Sequence, residues 1–122
     1  MKRLLAIAIL LLSGCSMLAT YDVGEYSILN SIVTISQLSK GCDPEPIMLL
    51  HYKVAELNNY SSNRPNNVEI TKMATQLAGI VNEFADRVQT KKNMSPTYCK
   101  AKMDIIHDTA LAIQKASGSK WR

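Results

Sequence analysis

Apolar residues recur every three or four positions between residues 70 and 88: Ile70, Met73, Leu77, Ile80, Phe84 and Val88. A helix turns once in 3.6 residues, so this spacing puts them all on one side of a helix. A stripe of that length has to be buried, and it is far more often core than ligand groove. The rest of the chain must therefore supply surfaces that cover it. Ile47, Leu50, Val54 and Leu57 repeat the same period, as do Cys99, Met103, Ile106, Ala110 and Ile113. Ile28, Leu29, Ile32, Ile35 and Leu38 form the remaining stripe. Several of these are β-branched, so a strand is the rival reading. Strict alternation is absent, which favours a helix.

Punctuation between the stripes sets the boundaries. Asp22 followed three residues later by Glu25 has capping-box spacing, and opens a helix over 22–40 that Gly41 stops. Asp43-Pro44 opens a second helix, since proline suits the first helical position, and it runs to about Tyr60. Asn58 to Asn67 holds five Asn and one Pro and reads as a loop. Asn66, with Glu69 three residues on, marks a third helix from Val68 to Lys91. Ser95-Pro96 opens a fourth that continues to about Ser117, with Gly118 closing it. The N-glycosylation patterns Asn59-Tyr60-Ser61 and Asn93-Met94-Ser95 are read as loop residues. Four amphipathic helices with short connections predict an all-α fold, a small antiparallel four-helix bundle.

The first residues follow different rules. Lys2 and Arg3 precede an unbroken apolar run, Leu4 to Leu12, of nine residues. A bilayer span needs about 20 residues, whereas a run this short suits a secretory signal. Leu12-Ser13-Gly14-Cys15 then resembles the lipobox of bacterial lipoproteins. That resemblance implies lipidation of the Cys15 sulfur, including palmitate-type acylation, and cleavage before it. An ordinary signal peptide with a chance cysteine, or an uncleaved anchor helix, are the other readings. The expected organisation is a signal over 1–14, a lipidated tether over 15–20 and a helical domain over 21–122. Ser16 follows the lipidated position. By resemblance to enterobacterial sorting, the absence of Asp there implies the outer membrane, periplasmic face, over the inner membrane.

Cleavage leaves 108 residues, one domain's worth, and lowers the formal charge from +4 to +2 as Lys2 and Arg3 depart. So small a charge gives no argument for nucleic acid. From Arg87 onward, however, eight Lys/Arg face only Asp104 and Asp108. Such a basic end points to acidic head groups or an acidic partner, or is simply a solvated face. Cys42 and Cys99 remain as an even pair in an oxidising compartment, for which a disulfide is the default. Free thiols or a metal pair are the alternatives, though two Cys without a nearby His make poor ligands. In an up-down-up-down bundle the first and third turns share an end, which would bring Cys42 and Cys99 together. The tether, the Asn-rich loop and the tail Lys120-Trp121-Arg122 would share the other end. There the tail is a candidate membrane contact.

Catalytic signals are absent. Asp104-Ile105-Ile106-His107 has the carboxylate-x-x-His spacing of di-iron bundles, which require two such motifs. His51 has Met48 where the second carboxylate would be. No metal, other cofactor or enzymatic role is expected, and His107 is placed at the flank of the core face. Tyr21-Asp22, Glu25-Tyr26, Cys42, the run Ser95 to Lys100 and the ending Lys120-Trp121-Arg122 also resemble small lipoproteins of tailed phages and their hosts. That resemblance brings no activity with it. The leading expectation is a lipid-anchored, non-enzymatic helical module that binds another envelope protein or serves a structural role. A phage lysis protein, the outer-membrane lipoprotein subunit of a spanin, is the second reading. An enzyme or small-molecule carrier is the third, and it would need a deep polar pocket inside the bundle.

Overall fold

Asp22 starts the first helix as expected: its carboxylate accepts the Glu25 backbone N–H at 3.0 Å. The structure is a computed structural model and describes residues 21–39, 41–90 and 94–119. The expected signal, Cys15 and its tether, and the tail Lys120-Trp121-Arg122 lie outside the described residues.

Four helices follow one another: α1 (Val23–Leu38), α2 (Pro44–Ser62), α3 (Val68–Thr90) and α4 (Pro96–Gly118). No strand occurs among the described residues. Each helix packs against two others, in the ring order α1, α2, α3, α4 and back to α1. Directions alternate around the ring. The start of α1, the end of α2, the start of α3 and the end of α4 meet at one end, where Glu25, Ser61, Asn67 and Ser117 touch. The opposite end holds the disulfide between Cys42 and Cys99, with Cα atoms 5.3 Å apart. The expected antiparallel bundle and its staple are both present. Below, the end at which the described chain begins is called proximal and the disulfide end distal.

The core runs the length of the bundle. Leu29, Ile32, Leu50, Leu57, Leu77, Phe84, Ile106 and Ile113 are among its largest buried members. The stripes on α2 and α4 bury as their spacing predicts. On α3, Ile70, Leu77 and Phe84 point inward, but Met73, Ile80 and Val88 sit half-buried at the edge. Ala74, Ala78, Val81 and Ala85 complete the inner face instead.

Several boundaries differ from expectation. Helix α2 continues through Asn58-Asn59-Tyr60 to Ser62, so the loop shrinks to 63–67 and Asn59-Tyr60-Ser61 is helical. Ser61 pointing into the core holds that last turn down. Helix α1 ends at Leu38, and Ser39 turns extended at φ −104°, before Gly41 is reached. No described glycine has a positive φ, so Gly41 is not a left-handed stop. Leu38, expected on the core face, is 79% exposed because the buried face runs through Glu25, Leu29, Ile32, Val33 and Ser36, which puts Leu38 on the opposite side of the helix. Asp43 occupies the cap position of α2 without a side-chain bond, while Ser95 caps α4 by accepting the Tyr98 N–H at 3.1 Å.

Candidate functional site

Glu25 stands at capping-box spacing from Asp22, and its backbone N–H donates to the Asp22 carboxylate. In a capping box the glutamate reaches back to the first backbone N–H. Here Glu25 is fully buried, with 0% of its surface exposed, and turns into the proximal end of the core. Its register explains why: Ile28, Leu29 and Ile32 follow at three, four and seven residues, so Glu25 sits on the same face. A buried carboxylate is costly unless paired and hydrogen-bonded.

All three other helices answer it. Ser117 Oγ, at the end of α4, donates to one carboxylate oxygen at 2.8 Å. The other oxygen accepts Ser61 Oγ at 3.0 Å from the end of α2, and Asn67 Nδ2 at 2.6 Å from the start of α3. Arg64, in the turn between them, brings Nη1 to 3.1 Å from the same oxygen. Its Nε lies 3.6 Å from Asp22, whose carboxylate also accepts the Tyr60 hydroxyl at 2.6 Å. Ser61, Asn67 and Ser117 are themselves buried. Asn67 holds the cap position of α3, since its carbonyl accepts the Thr71 N–H. The helix begins at Val68 as expected, but its cap is Asn67 and not the preceding Asn66, which adopts φ 58°.

Electrostatics follow from this geometry. Burial pushes the Glu25 carboxyl upward, but the bonds from Ser117, Asn67, Ser61 and Arg64 outweigh it and hold the group below its ordinary range. The Tyr60 hydroxyl likewise lowers Asp22, and Asp22 in return raises Tyr60. Two glycines leave room for neighbouring rings, Gly24 for Tyr60 of the cluster and Gly118 for Tyr26 beside it. A Cβ on Gly24 would stand 2.8 Å from Tyr60 Cζ, and one on Gly118 2.9 Å from Tyr26 Cε2.

This cluster ties four helix ends around one ionised group, with Glu25 sealed from solvent. Among the described residues, grooves open on the outside. One of about 480 Å³ runs along the turn from Ser62 and the first turns of α3, past Arg64, Asn67 and Lys72. Another, of about 250 Å³, lies between α2 and α3, where His51 Nδ1 stands 2.7 Å from Asn82 Oδ1.

His107 sits half-buried at the flank of α4, as expected, with Nδ1 3.3 Å from the exposed Asp108. Among the described residues, no three or more His, Cys, Asp or Glu are grouped to hold a metal ion. Of the basic stretch, the described residues include Arg87, Lys100 and Lys102, and Lys115 in the last turn of α4. Arg87 and Lys102 stand over the Tyr98 ring, 5.9 and 5.7 Å from its centroid, towards the distal end. No helix among the described residues is long and apolar enough to cross a membrane. No family model matches the chain, and neither a curated protein nor a solved structure matches it.

Proposed function

We propose that this chain is a bacterial-type envelope lipoprotein. It is held by acyl chains on Cys15, and its helical domain binds or braces a second envelope protein without catalysis. The observation that carries this reading is the lipobox-like Leu12-Ser13-Gly14-Cys15 at the end of the apolar run. The fold is consistent with it. Helix α1 is capped at Asp22, seven residues after Cys15, so little chain separates the lipid from the bundle. Three acyl chains would make the attachment effectively permanent, at about 0.8 kcal/mol for each buried CH₂. Ser16 directs the assignment to the outer membrane with the domain facing the periplasm, an oxidising space that suits the Cys42–Cys99 bridge.

Two features support a binding role over catalysis. Glu25 is buried and bonded by its neighbours, so it has no access to a substrate. Leu49 and Tyr52 are both exposed on the outer side of α2, three residues apart, where they form adjoining apolar contacts for a partner. The decisive test is acylation. Cys15→Ala should accumulate as an uncut precursor and take up no labelled palmitate. Normal labelling of that variant would sink the proposal. For the partner, capture from envelopes with the lipidated protein should fail when Tyr52 is replaced by Lys while anchoring persists.

A further inference from the structure

Along the outside of the bundle, the seam between α2 and α3 is built from two mostly polar rows. On α3, Thr71, Thr75, Gly79, Asn82, Asp86 and Gln89 recur every three or four residues, beside the buried stripe. On α2, Met48, His51, Ala55, Asn58 and Ser62 repeat that spacing. Rungs join the rows. Gln89 Nε2 donates to Met48 Sδ at 3.0 Å, His51 Nδ1 stands 2.7 Å from Asn82 Oδ1, and Thr75 Oγ1 stands 3.2 Å from Asn58 Oδ1. The groove of about 250 Å³ covers the first two rungs, and the groove of about 480 Å³ runs from Thr75 to Ser62. Between them Ala55 and Gly79 are exposed, and a Cβ on Gly79 would meet nothing within 4 Å. The grooves are therefore parts of one open trough. From Thr71 to Gln89 it is about 27 Å long, at the helical rise per residue.

We propose that this trough binds a glycan strand whose sugars carry hydroxyl and acetamido groups. Amides and hydroxyls dominate its walls, and Asp86 is the one formal charge in the two rows. A side-chain amide has two N–H donors and two acceptor lone pairs, and each rung uses only one of these four. The N–H donors of Asn58 and Asn82 and the carbonyl of Gln89 are thereby left for a ligand, and Asn82 and Gln89 are exposed to meet it. Sugar hydroxyls and acetamido groups both donate and accept, so they match a wall of mixed donors and acceptors. The rungs hold these side chains in place beforehand, which reduces the ordering cost of binding. A partner helix would instead need a hydrophobic groove, and only Met48, Ala55 and Ala85 offer apolar surface on the distal side. At the proximal groove Lys72 is exposed and suits a carboxylate borne by the strand, while Arg64 is committed to Glu25 and Asp22. Leu49 and Tyr52 line neither groove, so the inference rests on neither the partner contact nor the anchor.

The test uses the full chain purified in detergent micelles. The probe is the pentamer of N-acetylglucosamine, with cellopentaose, which lacks the acetamido groups, as the comparison. In nitrogen-edited NMR, the side-chain NH₂ signals of Asn58, Asn82 and Gln89 should shift as the acetylated pentamer is added. Its affinity should exceed that of cellopentaose by about tenfold or more, since a site built to bond an amide rejects an analogue without one. Asn82→Ala should weaken binding severalfold. Gly79→Leu separates binding from folding. Leucine is the better helix former and its Cβ meets no neighbour, so the melting temperature should hold or rise, while the side chain fills the trough and binding falls severalfold. Asp104→Asn, at an exposed position on α4, should bind as the parent does. Unshifted side-chain signals at millimolar pentamer overturn the inference, as does equal affinity for cellopentaose. So does a Gly79→Leu protein that binds like the parent, or an Asp104→Asn protein that loses as much as Gly79→Leu.

Discussion

Glu25 is the residue whose loss should cost most for its size. Its carboxylate accepts from Ser117, Ser61 and Asn67 and faces Arg64, four groups from three other segments of chain. Hydrogen bonds to a charged group are worth about 1.5–3 kcal/mol each, but they do not simply add. Asn67 Nδ2 keeps the Ser61 carbonyl at 3.1 Å, and Arg64 keeps Asp22. The better guide is a single broken buried ion pair, about 3–5 kcal/mol, which is the expected cost of Glu25→Ala. For a domain of this size that corresponds to a fall in Tm of roughly 15–30 °C.

Glu25→Gln separates charge from shape. Its amide oxygen can replace the oxygen shared by Ser61, Asn67 and Arg64, while its NH₂ donates to Ser117 Oγ. The loss should therefore be smaller, about 1–3 kcal/mol. The variant should also change the response to acid. Glu25 is held below its ordinary value of 4.5, so its stabilisation is present above that value and is lost as pH falls through the lower, folded one. Asp22 acts in the same direction. Urea unfolding of the oxidised chain from Ser16, followed by far-UV circular dichroism from neutral pH to about pH 3, should show a shallower acid slope for Glu25→Gln than for the parent. A Glu25→Gln protein as stable as the parent at neutral pH, with the same slope below it, would refute the reasoning.

Reduction of Cys42–Cys99, 57 residues apart, should destabilise the domain by about 4 kcal/mol on loop-closure entropy; a Tm unmoved by reductant would exclude that. Phe84→Ala, which empties a large site in the middle of the core, should cost about 3–5 kcal/mol by the same unfolding assay. Gly24→Ala gains about 1 kcal/mol of helix propensity but forces the Tyr60 ring aside. Its signature is therefore the Tyr60 hydroxyl, now raised by Asp22, which should titrate nearer its ordinary value in alkaline absorbance difference spectra.

Much of the bundle was legible because each stripe carries its own register. Ile47, Leu50, Val54 and Leu57 are buried as spaced, and the ring order follows from short turns. The Cys pair could be placed because alternating helices leave only one end for both. The proximal cluster was missed because polar residues were read as boundaries. Glu25 looked like half of a capping box, and Asn67 like part of a loop. Yet each stripe continues by one helical step into a polar residue: Leu57 to Ser61, Ile113 to Ser117, and Ile70 back to Asn67. That continuation was a usable signal. Which of these residues would meet Arg64 depended on the turn geometry, and spacing alone does not carry that.

The staple and the buried carboxylate divide the work of holding the ends. The disulfide closes a loop that contains α2 and α3, with α1 before it and nearly all of α4 after it. Covalent closure at the distal end therefore leaves α1 and α4 free to separate from that loop at the proximal end. Glu25 on α1 is bonded to Ser117 on α4 and, through its other oxygen, to Ser61 and Asn67 within the loop. It joins both helices outside the covalent loop to the hairpin inside it. A load arriving through residues 16–20 would reach Asp22 and Glu25 first, where Tyr60 and Arg64 share it. The disulfide could not substitute for this cluster, because it acts at the far end of α1, one full helix length away.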